Sequence, residues 1–547
     1  MNTHAGLIEI EALAKRLASI EMPSNLGDFC ATQADRFGDA IAIDYFVENE
    51  QLTYTALHHR SNRVAANLLA RGYRKGAHIA VMLPNGPASS IVWFAIMKIG
   101  AVLVPVNTAY RAKELDFILN QSDSQAIIIG TEFLDALGSM TTRPELLANP
   151  MVVDGNNLGS LEAGGPLGEF DPGYPVAATD LCSLQYTSGT TGSPKGCMLT
   201  QDYWLVLSHS VGLLHQSYGS SRLFFWAPFF YMDGQWSFLS AMAIGGTAII
   251  ASAMSLSKFL GWMAEHDAHY CVLPEPILKA VPPSPDDAST PLKMVHAFGW
   301  RPSARSDAEQ RFNLVARDSF GMTEVGPAMV CPNAAGDKLE LNTCGVAAPF
   351  RQTRVVDEDG NECPPGVAGE LQIRGRSIML GYYKRPDANA EAFDGDWLRT
   401  GDLFVKDKDG YHRIVGRLKE MIKRAGENIS ATEIEATMRE APAIAEAAAI
   451  AVPDDIRREE VLVLLKLADG FSQSDISPSK VHEHVTQLAA FKRPRYVAYV
   501  DEFPRTATNK ISKPQLSIDH LNSPITDLST GTEVSPTDAA GLLAGPS

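Results

Sequence analysis

A chain of 547 residues is longer than one hydrophobic core supports, so two or more domains are expected. With 45% hydrophobic and 20% charged residues the composition is that of an ordinary globular protein, and a formal net charge of −17 argues against nucleic acid or an anionic membrane as partner. The seven cysteines are scattered without zinc spacing, Met1–Leu26 lacks the apolar core of a signal peptide, and no apolar run reaches the roughly 18 residues of a membrane span. A cytoplasmic protein with reduced thiols is expected.

From about Leu52 helical and extended patterns alternate. Leu57, Val64 and Leu68 share one helical face, with Gly72 placed to cap it. His78–Leu83, Ala101–Val104 and Ala126–Ile129 read as strands, separated by a helix through Ile91–Met97 and another over Ala112–Asn120. That alternation predicts a parallel sheet covered on both faces. Residues 222–252 are apolar and aromatic and read mainly as core, and Met294–Met329 returns to the αβ pattern. From Arg354, short β-rich segments with turns such as Asp357-Glu-Asp-Gly360 predict a small β-barrel or distorted sheet.

Beyond Gly416, Ser430-x-x-Glu433 is a capping box that opens a helix over Thr432–Glu440. Ala445–Val452, Val461–Leu467 and Arg495–Val500 read as strands, and Ser477-Pro478 starts a further helix. The fold class expected is α/β: a large N-terminal domain of αβ-layered sheets with a small β-barrel-like part, then a small mobile α+β domain. The boundaries expected are 1–416, 417–520 and a Ser/Thr/Pro/Gly/Ala-rich tail, 521–547, that reads as disordered.

The stretch Tyr186-Thr-Ser-Gly-Thr-Thr-Gly-Ser-Pro-Lys-Gly196 lies between two extended apolar pieces. Glycines let a backbone wrap an anion, successive N–H groups form a nest, and hydroxyls with Lys195 add donors and charge. A flexible linker has the same composition, but Lys195 held between Pro194 and Gly196 argues for a fixed phosphate-binding loop. No Gly-Lys-Ser/Thr is present, so an ordinary P-loop ATPase is disfavoured.

Further motifs follow in order: Phe320-Gly-Met-Thr-Glu324, Gly369–Gly375, Met379-Leu-Gly-Tyr-Tyr383, Trp397–Asp402, Gly416–Lys423 with Gly426-Glu-Asn428, and Pro504–Ser512. Any one is weak; together, over about Leu52 to Lys513, they resemble the adenylate-forming (AMP-binding) superfamily of acyl-CoA synthetases, peptide-synthetase adenylation domains and luciferases. Lys423–Ser430 and Asp454–Arg457 look closest to its crotonobetaine/carnitine–CoA ligase branch.

The resemblance implies an ATP-dependent acid–thiol ligase that uses Mg2+ and coenzyme A. Thr187, Ser188, Gly189, Thr190, Thr191, Gly192 and Lys195 would hold the departing pyrophosphate, Thr323 would touch the α-phosphate, and Glu324 would ligate Mg2+. Lys510 would bridge the α-phosphate and the acyl carboxylate; Asp402 and Arg417 would take the ribose, and Phe320 would stack on adenine. Lys419 matches the hinge, and Lys423, Gly426 and Glu427 would face CoA. The acyl pocket is expected at Tyr231, Trp236, Trp300 and Gly321; Trp300 would restrict it to a small or compact acid, and Trp236, Tyr231 and Asp233 would favour a carnitine-like or aromatic head.

Four positions depart from the pattern. Tyr231 stands where many relatives have a gating His, Phe320 for a Tyr, Asn509 for a Gly, and Gly299-Trp-Arg-Pro302 for a Gly-Gly-Ala-Pro strand. Three other readings stay open: an adenylation enzyme that loads a carrier protein in trans, a luciferase-like oxidation, and a non-catalytic nucleotide binder. The last would require Lys510 or Glu324 to be lost, and both are present. The sequence leaves monomer or homodimer open.

Overall fold

The computed structural model describes residues 3–140, 142, 149–165, 168–187, 194–252, 254–255, 257–300, 302–424, 427–454, 456–505 and 510–543. Two sheets built from the αβ alternation form its N-terminal part. In the first, Met151–Val153, Ala126–Gly130, His78–Met82, Val102–Pro105 and Leu181–Thr187 lie parallel in that order, and Lys195–Thr200 closes the edge antiparallel. The strands read as unbroken apolar runs because helices cover both faces. One of those helices, Pro87–Lys98, is buried at every residue.

The second sheet runs Val315–Arg317, Met294–His296, Tyr270–Val272, Arg222–Phe225, Thr247–Ile250, Ile41–Tyr45, Glu50–Thr53. It is parallel except for the last strand. The helix Gln201–Ser217 packs on the helix Met232–Ala243 and is buried from Tyr203 to His215. Such all-round burial is that of an internal helix.

An antiparallel sheet of Arg351–Val356, Ala368–Gly375, Trp397–Lys406 and Phe393–Asp394, with His412–Arg417 paired to Trp397–Lys406, occupies the region expected to be a distorted sheet. Register shifts at Glu370/Gln372 and Leu403/Phe404 bend it.

The C-terminal sheet contains Glu427–Ser430, Met421–Arg424, Arg458–Leu467, Tyr496–Val500 and, beside Arg458–Leu467, Ile444–Asp454. Ser430 caps the helix Ala431–Arg439 by accepting the Glu433 N–H at 3.3 Å. This helix packs on one face of the sheet.

Residues 521–543 differ from the expected disordered tail. Thr526–Asp527 pairs with Tyr496–Val500, Thr532–Glu533 pairs with Thr526–Asp527, and a helix follows over Pro536–Leu543. Ile525 and Ala539 are buried on the other sheet face, and Ile511, Leu542 and Leu543 pack against that cluster. A few apolar side chains spaced through a polar stretch suffice to order it, and mean composition conceals them.

Candidate active site

The C-terminal ends of Arg222–Phe225, Tyr270–Val272 and Met294–His296, the edge hairpin of the first sheet, and the C-terminal sheet all border one cleft of about 2380 Å³. The C-terminal ends of parallel strands are where open α/β sheets bind ligands. Thr187, Lys195, Thr323, Glu324, Phe320, Gly321, Arg417, Lys419, Lys423 and Lys510 line it.

The hairpin Leu181–Thr187/Lys195–Thr200 pairs Thr187 directly with Lys195, so the two residues that flank the glycine-rich stretch are fixed side by side. Ser188, Gly189, Thr190, Thr191 and Gly192 lie outside the described residues. Gly196 rests against Tyr186: a Cβ there would stand 3.1 Å from the Tyr186 ring, which is why this position carries no side chain. Lys195 Nζ lies 4.9 Å from the centre of the Tyr382 ring, a cation–π contact. Tyr382 in turn donates its hydroxyl to Glu324 Oε1 at 2.8 Å. Glu324 is buried, and the Tyr203 hydroxyl donates to the Thr323 carbonyl at 2.9 Å.

Tyr382 sits in the Met379–Tyr383 motif, to which the sequence assigned no part. Backbone bonds from Met198 to Gly381, Leu380 to Met198 and Tyr383 to Gly196 lay this segment along the loop's outgoing strand. Only that pairing shows that the motif lies against the strand leaving the glycine-rich loop.

Asp402 pairs with Arg417 across adjacent strands. Gly401 before it has φ +70°, a turn conformation suited to glycine. Asp402 is 2% exposed, and burial holds its carboxyl up at about 6, against the pull of Arg417 and then Lys510. Arg417 Nε comes to 2.9 Å of Asp402 Oδ1 as an ion pair, yet that oxygen accepts no aligned hydrogen bond. A buried carboxylate oxygen left in this way is an acceptor for a ligand hydroxyl. Lys510 is exposed, borders the same cleft and acts electrostatically on Asp402, although it comes from the far end of the chain.

Phe320 makes a T-shaped contact with Phe404, with centroids 4.9 Å apart, and lines the cleft. Beside it, Asp318 accepts the Gly299 N–H at 3.1 Å, and burial raises its carboxyl to about 6. Asp318 was not singled out from sequence; its bond across to a neighbouring strand end is a tertiary feature.

Tyr231 and Trp236 line the cleft. Tyr231 accepts from Asn107 Nδ2 at 3.0 Å, and Trp236 Nε1 donates to Asp233 Oδ1 at 3.2 Å. Gly321 lines it too; a Cβ there would stand 2.8 Å from the Gly326 carbonyl. Trp300 requires correction. It is 3% exposed and packed in the core with Phe312 and Ala308, while Phe298, two residues earlier, borders the cleft at 46% exposure. The backbone turns after Ala297, with Gly299 at φ +65°, and sends the indole into the core.

Lys419 is exposed within the short turn Leu418–Glu420, and Lys423 Nζ stands 3.7 Å from Glu358. Gly426 lies outside the described residues, and Glu427 opens the strand Glu427–Ser430. No group of three or more His, Cys, Asp or Glu suited to a metal occurs among the described residues. A lone carboxylate such as Glu324 still fits Mg2+, which keeps waters and takes phosphate oxygens. Among the described residues no helix is long and apolar enough to cross a membrane.

The AMP-binding enzyme family matches residues 30–383, and the AMP-binding enzyme C-terminal domain matches residues 433–510. YngI of Bacillus subtilis, itself named only provisionally as an acyl-CoA synthetase, is 32% identical over 543 residues, covering 90% of this chain and 96% of its own. The crotonobetaine/carnitine–CoA ligase of Proteus mirabilis is 30% identical over 486 residues, covering 85% of this chain and 93% of its own. Among solved structures, ATP-bound MatB from Rhodopseudomonas palustris matches with a TM-score of 0.79 at 25% identity, over 89% of this chain and 97% of its own. The chain belongs to the AMP-binding, adenylate-forming enzymes, among the acid–thiol ligases of the acyl-CoA synthetase family.

Proposed function

We propose that this protein is an ATP-dependent acyl-CoA ligase acting in the cytoplasm. A carboxylate oxygen attacks the α-phosphorus of ATP, the bond to the bridging oxygen breaks, and pyrophosphate leaves. The CoA sulfur then attacks the acyl carbon and displaces AMP. The observation that carries this reading is that Lys195, Glu324 and Arg417 share one cleft with Lys510, from the opposite end of the chain.

The carboxylate is already ionised at pH 7, so the first step needs positioning and positive charge rather than a general base. Lys510 supplies charge at the α-phosphate and the incoming carboxylate, with Thr323 beside it. Thr187, Lys195 and the Ser188–Gly192 loop hold the pyrophosphate. Asp402 accepts the ribose hydroxyls with Arg417 at its side, and Phe320 covers the adenine. Mg2+, when bound, withdraws charge from phosphate oxygens as a Lewis acid, and Glu324, one oxygen held by Tyr382, is the ligand this chain offers it.

The division at 416/417 makes the C-terminal part a lid that turns about Lys419 between half-reactions. In the second orientation it brings Lys423, Gly426 and Glu427 to the thiol. Tyr231, Trp236 and Asp233 favour an acid with a carnitine-like or aromatic head.

Hydroxamate trapping of the acyl-adenylate over a panel of carboxylic acids, with mass detection of acyl-CoA, tests this. Adenylate formed without any acyl-CoA on adding CoA would favour transfer to a carrier protein. No adenylate from any acid would overturn the proposal.

A further inference from the structure

One part of the acyl wall carries polar groups that the adenylation chemistry leaves unused. His296 ends the strand Met294–His296, is 5% exposed, and borders the cleft near Val272 and Phe298. Its Nδ1 lies 2.6 Å from the Tyr270 hydroxyl, and its ring stacks on Phe298 with centroids 5.3 Å apart at 25°. Behind Tyr270, with ring centroids 4.0 Å apart, His215 is fully buried, and neither of its nitrogens has a hydrogen-bond partner among the described residues. Phe225 joins this cluster to Trp236. Two imidazoles and a phenol therefore stand in an otherwise aromatic and aliphatic wall, where unused donors and acceptors are costly.

The hydrogen bonding fixes what His296 offers. Burial raises the Tyr270 pKa well above the ordinary value, so the phenol keeps its proton, and His296 Nδ1 is its one hydrogen-bond partner among the described residues. The hydroxyl thus donates to Nδ1, and the neutral imidazole carries its own proton on Nε2. Burial also pushes the His296 pKa down to about 4, so the ring stays neutral near pH 7. A neutral N–H donor attracts an uncharged oxygen, offers nothing to a cationic head, and is left unpaired by a plain hydrocarbon tail.

We infer that the acid taken by this site bears an uncharged oxygen acceptor, such as an ether or a carbonyl, at its far end, received by His296 Nε2–H. This rests on the proposed acyl-CoA ligase reading and narrows its substrate class. Tyr270 is a positioning residue: it sets the tautomer of His296 without touching the acid.

Isosteric acids isolate the oxygen. With ATP and CoA, the kcat/KM for pyrophosphate release is compared for 4-methoxybenzoate against 4-ethylbenzoate and, at greater length, for 4-methoxycinnamate against 4-ethylcinnamate. In at least one pair the methoxy acid is favoured by about tenfold or more, the scale of pairing a buried donor. The readout in the variants is that ratio, not the rate. His296→Phe brings the ratio near one, His296→Gln, which keeps an N–H, retains part of it, and Tyr270→Phe lowers it by freeing the tautomer. If neither position-296 variant folds, the Tyr270→Phe ratio decides.

A ratio near one in both wild-type pairs, or an unchanged ratio in His296→Phe, overturns the inference. So does activation of other acids with all four of these refused, an outcome that leaves the ligase reading standing. Only the absence of pyrophosphate release with every acid tried would remove both.

Discussion

The cleft is built on opposite plans on its two sides. The N-terminal part presents groups that are buried and locked: Glu324, Asp402 and Tyr382 are each less than a tenth exposed, and Tyr382 ties Lys195 to the Glu324 carboxylate. The C-terminal part presents exposed cations, Lys510 and Lys423. Lys423, 3.7 Å from Glu358, makes a pair exposed enough to contribute little, while Lys513, bonded to Glu420 and Glu435 at 2.5 and 2.7 Å, is a better-shielded exception. On the proposed reading, groups that hold nucleotide through the whole cycle gain from preorganisation, and a lysine that serves one half-reaction gains from an exposed position.

The comparison breaks most readily at Lys510. Lys510→Ala lowers adenylation by about 10²–10³-fold, the scale of losing one preorganised donor. Thioester formation from supplied acyl-adenylate should persist in that variant. Equal loss of both half-reactions would show that the two sides of the cleft do not divide the work.

Asp402→Asn comes next, with nucleotide affinity falling roughly 10- to 100-fold, as for lost charge-assisted hydrogen bonds. A pH series sharpens this. Burial holds Asp402 and Asp318 at about 6, above the ordinary 3.8, so each takes a proton in the folded protein before the unfolded chain does. Their contribution to stability therefore rises as pH falls from about 6 toward 4, while ATP binding through ionised Asp402 weakens over the same window. Calorimetric titration with ATP at pH 5 and pH 7.5 measures it; equal affinities would count against Asp402 as the ribose acceptor.

Tyr382→Phe has a smaller effect, about tenfold or less in adenylation, since one hydrogen bond to Glu324 is lost while the ring beneath Lys195 remains. The change should appear as a raised Mg2+ requirement for pyrophosphate release. Ala539→Asp, in the terminal helix, has the least effect on chemistry. It places a charge in the second core of the C-terminal sheet and costs about 1–3 kcal/mol of that part's stability, read by thermal unfolding.

Much of this was legible in the sequence, for identifiable reasons. The strands at His78, Val102 and Ala126 announced themselves because strands buried on both faces are apolar throughout. The Ser430 cap was legible because a capping box is local chemistry. Trp300 was misread because one glycine with positive φ reverses which of two nearby aromatics meets the cleft, and spacing does not report that turn. Tyr382, Asp318 and His296 were not singled out because each gains its part from a partner distant in sequence: Glu324, Gly299 and Tyr270.

The sequence by itself determined the order of motifs, the αβ alternation and the chemistry available: a glycine-rich loop with one lysine, a carboxylate after Gly401, and a lysine near the far end. These are properties of residue type and local spacing. Tertiary structure alone decided that the 521–543 segment folds onto the C-terminal sheet, that an Asp402 oxygen is buried without an aligned hydrogen bond, and that His296 lines the cleft beside the Tyr270 hydroxyl. Burial and pairing depend on what the rest of the chain brings alongside, and no local pattern carries that information.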